Sequence, residues 1–246
     1  MVEEAVEIRT SDGTSDGFIY RADDGHRQPG VIHLTDIGGI RPSHRNMARR
    51  LAEKGFTVLL PNVFYRTGKP PMFDFTPKMG EERTMKRFAE LATPMTPDAT
   101  ERDGAAYVDF LAAQSSVSSS PIGVVGHCFT GGMAMRTAAA RPLKVGAAAS
   151  FHGGGLYTNA QTSPHLVLPR IKAELYFGHA INDQSMPEDA IKNLEQALAA
   201  WGGKYQSETY DGAFHGWTTA DSPVYNQPQA ERGFEKLSAL FARTLK

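Results

Sequence analysis

The alternation of apolar and polar positions predicts an N-terminal hairpin followed by a repeating strand–helix pattern. Residues 6–10 alternate as a half-exposed strand does, residues 11–17 are rich in turn formers, and residues 17–20 read as the returning strand. Mostly apolar runs at 30–35 and 56–60 then enclose a helix predicted over 43–54. A strand, a helix and a second strand in this order indicate parallel strands joined by a right-handed crossover.

The second half of the chain repeats this pattern. Further strands are predicted at 122–125, 144–151, 173–177 and 204–210, and further helices at 98–114, from Gly132 onward, at 187–200 and at 228–245. The polar stretch 115–121 is short enough to be only a loop. We therefore expect one α/β domain over residues 1–246, with a mostly parallel central sheet flanked by helices.

Residues 65–97 interrupt the pattern with five prolines and with several methionines and phenylalanines. A helix at 81–91 fits inside this segment. The segment is long for a connection between elements. One interpretation is an irregular surface loop. The other is a cap over a substrate site, which the sequence favours because the apolar side chains would otherwise be exposed.

Composition and charge exclude several classes of protein. The 26 basic and 27 acidic residues give a net charge of −1, which provides no long-range field for nucleic acid or an anionic membrane. No apolar run approaches the ~20 residues of a membrane helix, and the acidic N-terminus is unlike a signal peptide. The single cysteine cannot form an intramolecular disulfide, and a free thiol suits a reducing compartment. We expect a cytoplasmic protein.

The most informative stretch is Gly126-His127-Cys128-Phe129-Thr130-Gly131, between a short apolar strand and a helix of small residues. This is the pattern of the nucleophile elbow of α/β hydrolases, with cysteine in place of serine. Glycine permits the sharp turn, and the helix start directs its N–H groups at Cys128. The alternative is a buried structural cysteine in an ordinary strand-to-helix turn.

Two later strand ends carry partners for this cysteine in the chain order nucleophile, acid, base. Asp183 follows the strand at 173–177, and His215 follows the strand at 204–210. Alone, Asp183 would be read as a turn residue and His215 as one of eight ordinary histidines. Together they predict a triad in which His215 accepts the thiol proton and Asp183 orients the imidazole.

At this point the chain resembles the dienelactone hydrolases (carboxymethylenebutenolidase-like proteins). The resemblance covers residues 17–246 and rests on five segments: Gly126-His-Cys-Phe-Thr-Gly131, Asp36-Ile-Gly-Gly39, Pro61-Asn-Val-Phe-Tyr-Arg66, Asp183 before Pro187, and Gly212-Ala-Phe-His215. It implies an α/β-hydrolase fold and the opening of an ester or lactone through a thioester on Cys128, without a cofactor. It also implies an oxyanion hole built from the backbone N–H groups of Phe129 and Ile37.

The resemblance also suggests substrate-binding positions, and here the sequence departs from the family. Asp36 takes the place of a glutamate that holds the resting thiol, and a turn aspartate is the alternative interpretation. Thr219 replaces an arginine that grips the substrate carboxylate, and Thr130 replaces a glycine of the elbow. Arg83, Arg66 and Trp217 remain candidate substrate contacts, and exposed helix arginines are the alternative for the first two.

The sequence leaves several alternatives open. The same triad could transfer an acyl group to an acceptor other than water, or the chain could be a ligand-binding protein on a hydrolase scaffold. The expected partner is a small ester or lactone, and the chain is expected to be a monomer or homodimer. The scattered histidines predict no metal site. His152-Gly-Gly-Gly155 looks like a lipase oxyanion motif but follows the nucleophile, so we interpret it as a strand end whose small residues leave space near Cys128.

Overall fold

The fold is a single eight-stranded sheet with helices on both faces. The computed structural model describes residues 1–119 and 121–246. The strands are β1 (Val2–Thr10), β2 (Gly13–Arg21), β3 (Gly30–His33), β4 (Thr57–Pro61), β5 (Ile122–His127), β6 (Val145–Phe151), β7 (Glu174–His179) and β8 (Tyr205–Thr209). The α-helices are α1 (Pro42–Glu53), α2 (Glu82–Ala92), α3 (Pro97–Ala112), α4 (Gly131–Ala140), α5 (Glu188–Trp201) and α6 (Gln227–Thr244), with 3-10 turns at Cys128–Thr130 and Pro164–Arg170. Over these described ranges no helix is long and apolar enough to cross a membrane.

The strand order is β1-β2-β4-β3-β5-β6-β7-β8. The N-terminal hairpin β1–β2 is antiparallel and joins β4 in antiparallel register, whereas β4, β3 and β5 to β8 run parallel. The expected α/β fold, with a mostly parallel sheet and an N-terminal hairpin, is confirmed. All the parallel strands therefore end at one edge of the sheet, where α/β proteins carry their sites.

Two apolar layers hold the helices against this sheet. On one face Val124 of β5 and Phe177 of β7 pack with side chains of α3, α4 and α5. On the other face Val125 and Tyr176, their neighbours in the chain, pack with α1 and α6. The central strands are buried on both faces, and this is why they read as continuous apolar runs rather than as alternating ones.

The hairpin turn is shorter than the sequence predicts. Thr10 pairs with Gly13, so the turn consists of Ser11 and Asp12, and the polar residues that follow belong to β2. The prediction of a turn over 11–17 is wrong because the strand can bury a hydroxyl: Ser15 is fully buried and donates to the Asn62 carbonyl at 3.0 Å. Gly17 is needed in this strand because a Cβ there would lie 2.7 Å from the Leu60 carbonyl oxygen.

Residues 65–97 form turns and α2, and their apolar side chains are divided between the interior and the surface. Met72 is 2% exposed and packs on the loop after β3, where a Cβ on Gly39 would lie 2.5 Å from its Cγ. Phe73 contacts Phe75 and Phe88 edge to face, while Met79 is 78% exposed. The contact of Met72 with the β3 loop joins this segment to the site edge of the sheet. Its role as a cap stays a prediction.

Candidate active site

The loops that follow the parallel strands bring the predicted site residues to one edge of the sheet. Cys128 comes directly after β5, Asp183 after β7 and His215 after β8, while Ile37 lies in the loop after β3. The order of these strands places β3 and β6 on either side of β5, next to the cysteine. The prediction from chain order, that separate strand ends converge on Cys128, corresponds to this topology.

Cys128 has the strained backbone of a nucleophile elbow. Its φ is 54°, in the left-handed region that residues other than glycine rarely adopt. The turn is tight enough that a Cβ on Gly126 would lie 2.2 Å from the Thr130 carbonyl oxygen. The Thr130 hydroxyl accepts from the His127 N–H at 3.0 Å and donates to the His127 carbonyl at 3.2 Å. Thr130, the position where the family carries glycine, therefore closes the turn that presents the sulfur.

Cys128, His215 and Asp183 form a continuous hydrogen-bonded chain. The Cys128 Sγ lies 3.0 Å from His215 Nε2, and His215 Nδ1 lies 2.7 Å from Asp183 Oδ2. The Asp183 side chain is 4% exposed and that of His215 is 30% exposed, so the acid is shielded while the imidazole meets solvent. This is the geometry in which an imidazole can exchange a proton with a thiol while a carboxylate fixes its tautomer.

The electrostatics of the site favour a protonated His215. Burial opposes the charge, but hydrogen bonds to Asp183 and Cys128, together with the charges of those two groups, raise the pKa of His215 to about 10. Burial would likewise raise the pKa of Asp183, yet its hydrogen bonds from His215 and Ser185 lower it. Imidazolium and carboxylate therefore stabilise each other at neutral pH.

The two predicted oxyanion donors belong to the segments that follow β5 and β3, which are neighbours in the sheet. Phe129 is the second residue of the 3-10 turn that runs into α4, and the first N–H groups of a helix lack partners within it. Ile37 lies in the turn after β3, and within the described residues no backbone carbonyl accepts a hydrogen bond from its N–H. An oxyanion-hole role for both stays a prediction.

Asp36 is engaged by its own loop. Its Oδ1 accepts from the Gly38 N–H at 2.8 Å, as in an Asx turn, and Arg41 donates to both carboxylate oxygens. His44 Nε2 lies 3.3 Å from Oδ2. Burial alone would raise the pKa of Asp36, but the charge of His44 and hydrogen bonds from His44 and Arg41 hold it well below its usual range. The structure thus supports the turn-aspartate interpretation over a contact with the thiol.

The three other candidate substrate contacts, Arg66, Arg83 and Trp217, have partners within the chain. Arg66 is paired with the fully buried Asp103 at 2.6 Å. Arg83 is exposed on α2 and pairs with Asp74 at 2.8 Å. Trp217 is fully buried and stacks on Tyr210 with ring centroids 4.4 Å apart. The sequence does not reveal these partners, and a substrate contact for each of the three residues stays a prediction.

Four buried histidines, His33, His44, His127 and His152, form a cluster that contacts the triad at His215. The rings of His33 and His44 lie 5.2 Å apart, His127 lies 5.0 Å from His33, and His152 lies between His127 and His215 at 5.9 and 5.2 Å. Burial and the neighbouring rings lower the pKa of His33 and His127 well below the usual value, and burial lowers that of His152 to about 3. These three rings are therefore neutral around a charged His215. In the described part of the chain no group of three or more His, Cys, Asp or Glu side chains could hold a metal ion.

Sequence reasoning missed Ser185. Its N–H and hydroxyl both donate to Asp183 Oδ1, at 2.9 and 2.7 Å, and the same hydroxyl lies 3.2 Å from His215 Nδ1. The signal for it was present, because a serine two residues after a candidate acid is well placed to bond that acid. An Asp-x-Ser pattern is common in turns, so the sequence alone does not assign this serine to the triad.

The fold and this site define an α/β hydrolase, and comparison with known proteins specifies the family. The model of the dienelactone hydrolase family matches residues 15–245, so the chain belongs to this family and is a carboxymethylenebutenolidase-like hydrolase. It is 29% identical over 207 residues to a carboxymethylenebutenolidase of Rhodococcus opacus, covering 80% of this chain and 73% of that one. It is 27% identical over 224 residues to a putative carboxymethylenebutenolidase of Synechocystis sp., covering 89% and 87%.

Solved structures agree on the fold. A putative dienelactone hydrolase from Klebsiella pneumoniae matches with a TM-score of 0.86 over 98% of both chains, at 21% identity. A dienelactone hydrolase-like promiscuous phosphotriesterase from metagenomic libraries matches with a TM-score of 0.79 over 100% of both chains, at 20% identity. At these identities the likeness establishes the architecture alone.

Proposed function

We propose that this protein hydrolyses small carboxylic esters or lactones through a thioester on Cys128. The observation that carries the proposal is the hydrogen-bonded chain from the Cys128 sulfur through His215 to Asp183, with steps of 3.0 and 2.7 Å, on a backbone whose φ at Cys128 is 54°. Strain of this kind is costly and concentrates at functional sites. A buried structural cysteine would need neither the strain nor the charged partner.

The proposed reaction has two halves. The His215 imidazole holds the Cys128 proton, and the thiolate attacks the ester carbonyl to form a tetrahedral oxyanion that accepts from the N–H groups of Phe129 and Ile37. When this intermediate collapses, the C–O bond breaks and the imidazolium protonates the departing alkoxide. Neutral His215 then takes a proton from water, whose hydroxide displaces the thiolate and releases the carboxylic acid.

The surroundings of the sulfur suit an uncharged acyl or alcohol group. Phe129, directly after the nucleophile, is 36% exposed, and Phe214, directly before the base, is 48% exposed. Arg66 and Arg83 both have protein carboxylates as partners. The relatives named carboxymethylenebutenolidase support a lactone among the substrates. The pairing of these arginines supports a broader range that includes simple neutral esters.

The test compares the protein with its Cys128→Ala and Cys128→Ser variants on a chromogenic acetate ester and on an unsaturated lactone. We expect Cys128→Ala to lower kcat by at least ~10³-fold, because nucleophile removal in a triad leaves only the binding and oxyanion contributions. Rapid quenching of wild-type turnover should give a mass increase equal to the acyl group on the peptide that contains Cys128. Equal rates for wild type and Cys128→Ala would overturn the proposal.

A further inference from the structure

The loop after β6 touches both the nucleophile and the acid. The Gly154 N–H donates to the Cys128 carbonyl at 3.3 Å, and the Gly155 N–H donates to the Ser185 carbonyl at 2.7 Å. Residues 153–155 therefore connect the turn that carries the nucleophile to the loop that carries Asp183. The glycine run that follows β6 therefore contributes backbone hydrogen bonds to the segments that carry Cys128 and Asp183.

The side chain of Ser185 stands between this loop and the triad. Its hydroxyl donates to Asp183 Oδ1 at 2.7 Å, which leaves Oδ2 for His215, and its oxygen lies 3.2 Å from His215 Nδ1. On the other side a Cβ on Gly154 would lie 2.8 Å from Ser185 Oγ and 3.0 Å from its Cβ. The absence of a side chain at Gly154 therefore leaves room for the serine to reach both Asp183 and His215.

We propose that Ser185 is a positioning residue of the triad, held in place by the Gly153–Gly155 segment. A carboxylate with one oxygen on His215 is free to rotate about its terminal bond. Two donors from Ser185 on the other oxygen fix its plane, and the plane of the carboxylate fixes the direction of the His215 ring toward the sulfur. This inference rests on the proposed function, because it assigns Ser185 a task only if His215 and Cys128 exchange a proton.

The first test is the Ser185→Ala variant assayed with the ester substrate. We expect kcat to fall by about tenfold to a hundredfold, the size of effect that one hydrogen bond to a charged group supports, while KM stays within about twofold. The alkaline limb of the pH profile should move to lower pH, because a less firmly held Asp183 stabilises the His215 cation less. Ser185→Thr, which keeps the hydroxyl, should restore kcat and the profile.

The second test uses Gly154→Ala to displace Ser185 from outside the triad. Gly154 has no positive φ, so alanine is compatible with its backbone and the clash with Ser185 is the main disturbance. We expect Gly154→Ala alone to lower kcat as Ser185→Ala does. The double variant should be no slower than either single one, since substitutions that act through one contact are not additive.

The matched control is Ser163→Ala, in the loop after β6. The Ser163 hydroxyl also combines a backbone contact, at 2.9 Å from the Thr158 N–H, with a histidine contact, at 2.7 Å from His165 Nδ1, but it touches no triad residue. We expect wild-type kcat and pH profile from it. If Cys128→Ala is inactive while Ser185→Ala keeps the wild-type kcat and pH profile, the positioning role is overturned and the proposed function stands. If Cys128→Ala is as active as wild type, both fall.

Discussion

The environment of His215 raises the pKa of its ring, whereas the environments of four other buried histidines lower theirs. Burial lowers the pKa of His33, His127, His152 and His179, the last to about 4, so these rings stay neutral near pH 7. His215 is also partly buried, yet its hydrogen bonds to Asp183 and Cys128 outweigh burial. A charged imidazole beside these four neutral rings keeps a proton next to the sulfur, where the proposed reaction uses it.

This balance predicts an alkaline limit of activity that depends on Asp183. In the proposed reaction protonated His215 is the acid for the leaving group, so kcat/KM for the ester should fall as pH rises through about 10, the pKa of His215. In Asp183→Asn the negative charge is removed and the acceptor for Nδ1 is weaker, so the limb should move toward the ordinary histidine value of ~6.5. The measurement is a pH–rate profile from about pH 5 to 10.5 with spontaneous hydrolysis subtracted.

The control for this profile is Asp109→Asn, which removes a carboxylate of α3 that pairs with Arg141 and Lys144. Its limb should coincide with that of the wild type. The folding linkage has a definite sign: because the pKa of His215 is raised on folding, its protonation stabilises the fold below about pH 6.5, and this contribution is lost as pH rises through about 10. An alkaline limb unchanged in Asp183→Asn would contradict the role given to the carboxylate.

Residue type and spacing were sufficient to nominate Cys128, Asp183 and His215, because each lies just after a strand whose apolar run is visible in the sequence. They do not reveal which groups Asp36 and Arg66 contact in the folded chain. The partner of Arg66 is Asp103, 37 positions away, and only the tertiary fold brings the segment after β4 next to α3. A charged side chain carries no sign of whether it faces a substrate or another residue of its own chain.

At the scale of elements, the site depends on how closely α3 approaches α4, the helix that begins at the elbow. Gly104 in the middle of α3 faces α4, and a Cβ there would lie 2.2 Å from Thr137 Oγ1 and 3.0 Å from the Thr137 Cα. The backbone contact means that rotation of one side chain could not relieve the clash. Gly104 is therefore required by the helix contact, although glycine weakens a helix interior.

Replacing Gly104 by alanine should destabilise the protein, although alanine has the higher helix propensity. Alanine favours a helix over glycine by ~1 kcal/mol, but overpacking costs roughly 1–3 kcal/mol, and the backbone contact indicates the upper part of that range. We expect Gly104→Ala to lower the free energy of unfolding, measured by urea denaturation, by about 1–2 kcal/mol net.

Two further variants isolate the cause of that loss. Ala106→Gly, two residues along the same helix, measures propensity alone and should cost about 1 kcal/mol. In a Thr137→Ala background the contact with Oγ1 is absent, so the effect of Gly104→Ala should shrink. A Gly104→Ala protein more stable than wild type would show that α3 and α4 can separate without cost.

Element types were more predictable than their ends or their contacts. The apolar runs at 122–125 and 173–177 correspond to β5 and β7, each of which continues two residues further, through polar or glycine positions, to a histidine. Those added residues are held by pairing with β6, such as Gly126 with Ser150 and Gly178 with Phe151. Strand ends are set by neighbouring strands, which local patterns do not contain.

At the scale of the whole molecule, one ion-pair network joins the hairpin, the start of the 65–97 segment and α3. Arg66 donates to Asp12 in the hairpin turn at 2.7 Å and to Asp103 of α3 at 2.6 and 2.9 Å. Tyr65 Oη also donates to Asp103 at 3.0 Å. Asp103 is fully buried, so its carboxylate depends on these donors for the hydrogen bonds that water would otherwise supply.

Removing Arg66 should therefore cost stability rather than substrate affinity. In Arg66→Ala the buried Asp103 loses its cation, and the free energy of unfolding should fall by roughly 3–5 kcal/mol. Arg83→Ala is the matched comparison, because it removes an arginine whose pair with Asp74 is exposed and whose loss should cost less than about 1 kcal/mol. Both free energies can be measured by urea denaturation at pH 7, alongside KM for the ester at a temperature where both variants are folded.

A KM raised about tenfold in Arg66→Ala without a change in stability would indicate that Arg66 binds the substrate. An unchanged KM with the expected loss would place Arg66 among the residues that hold the 65–97 segment on the fold.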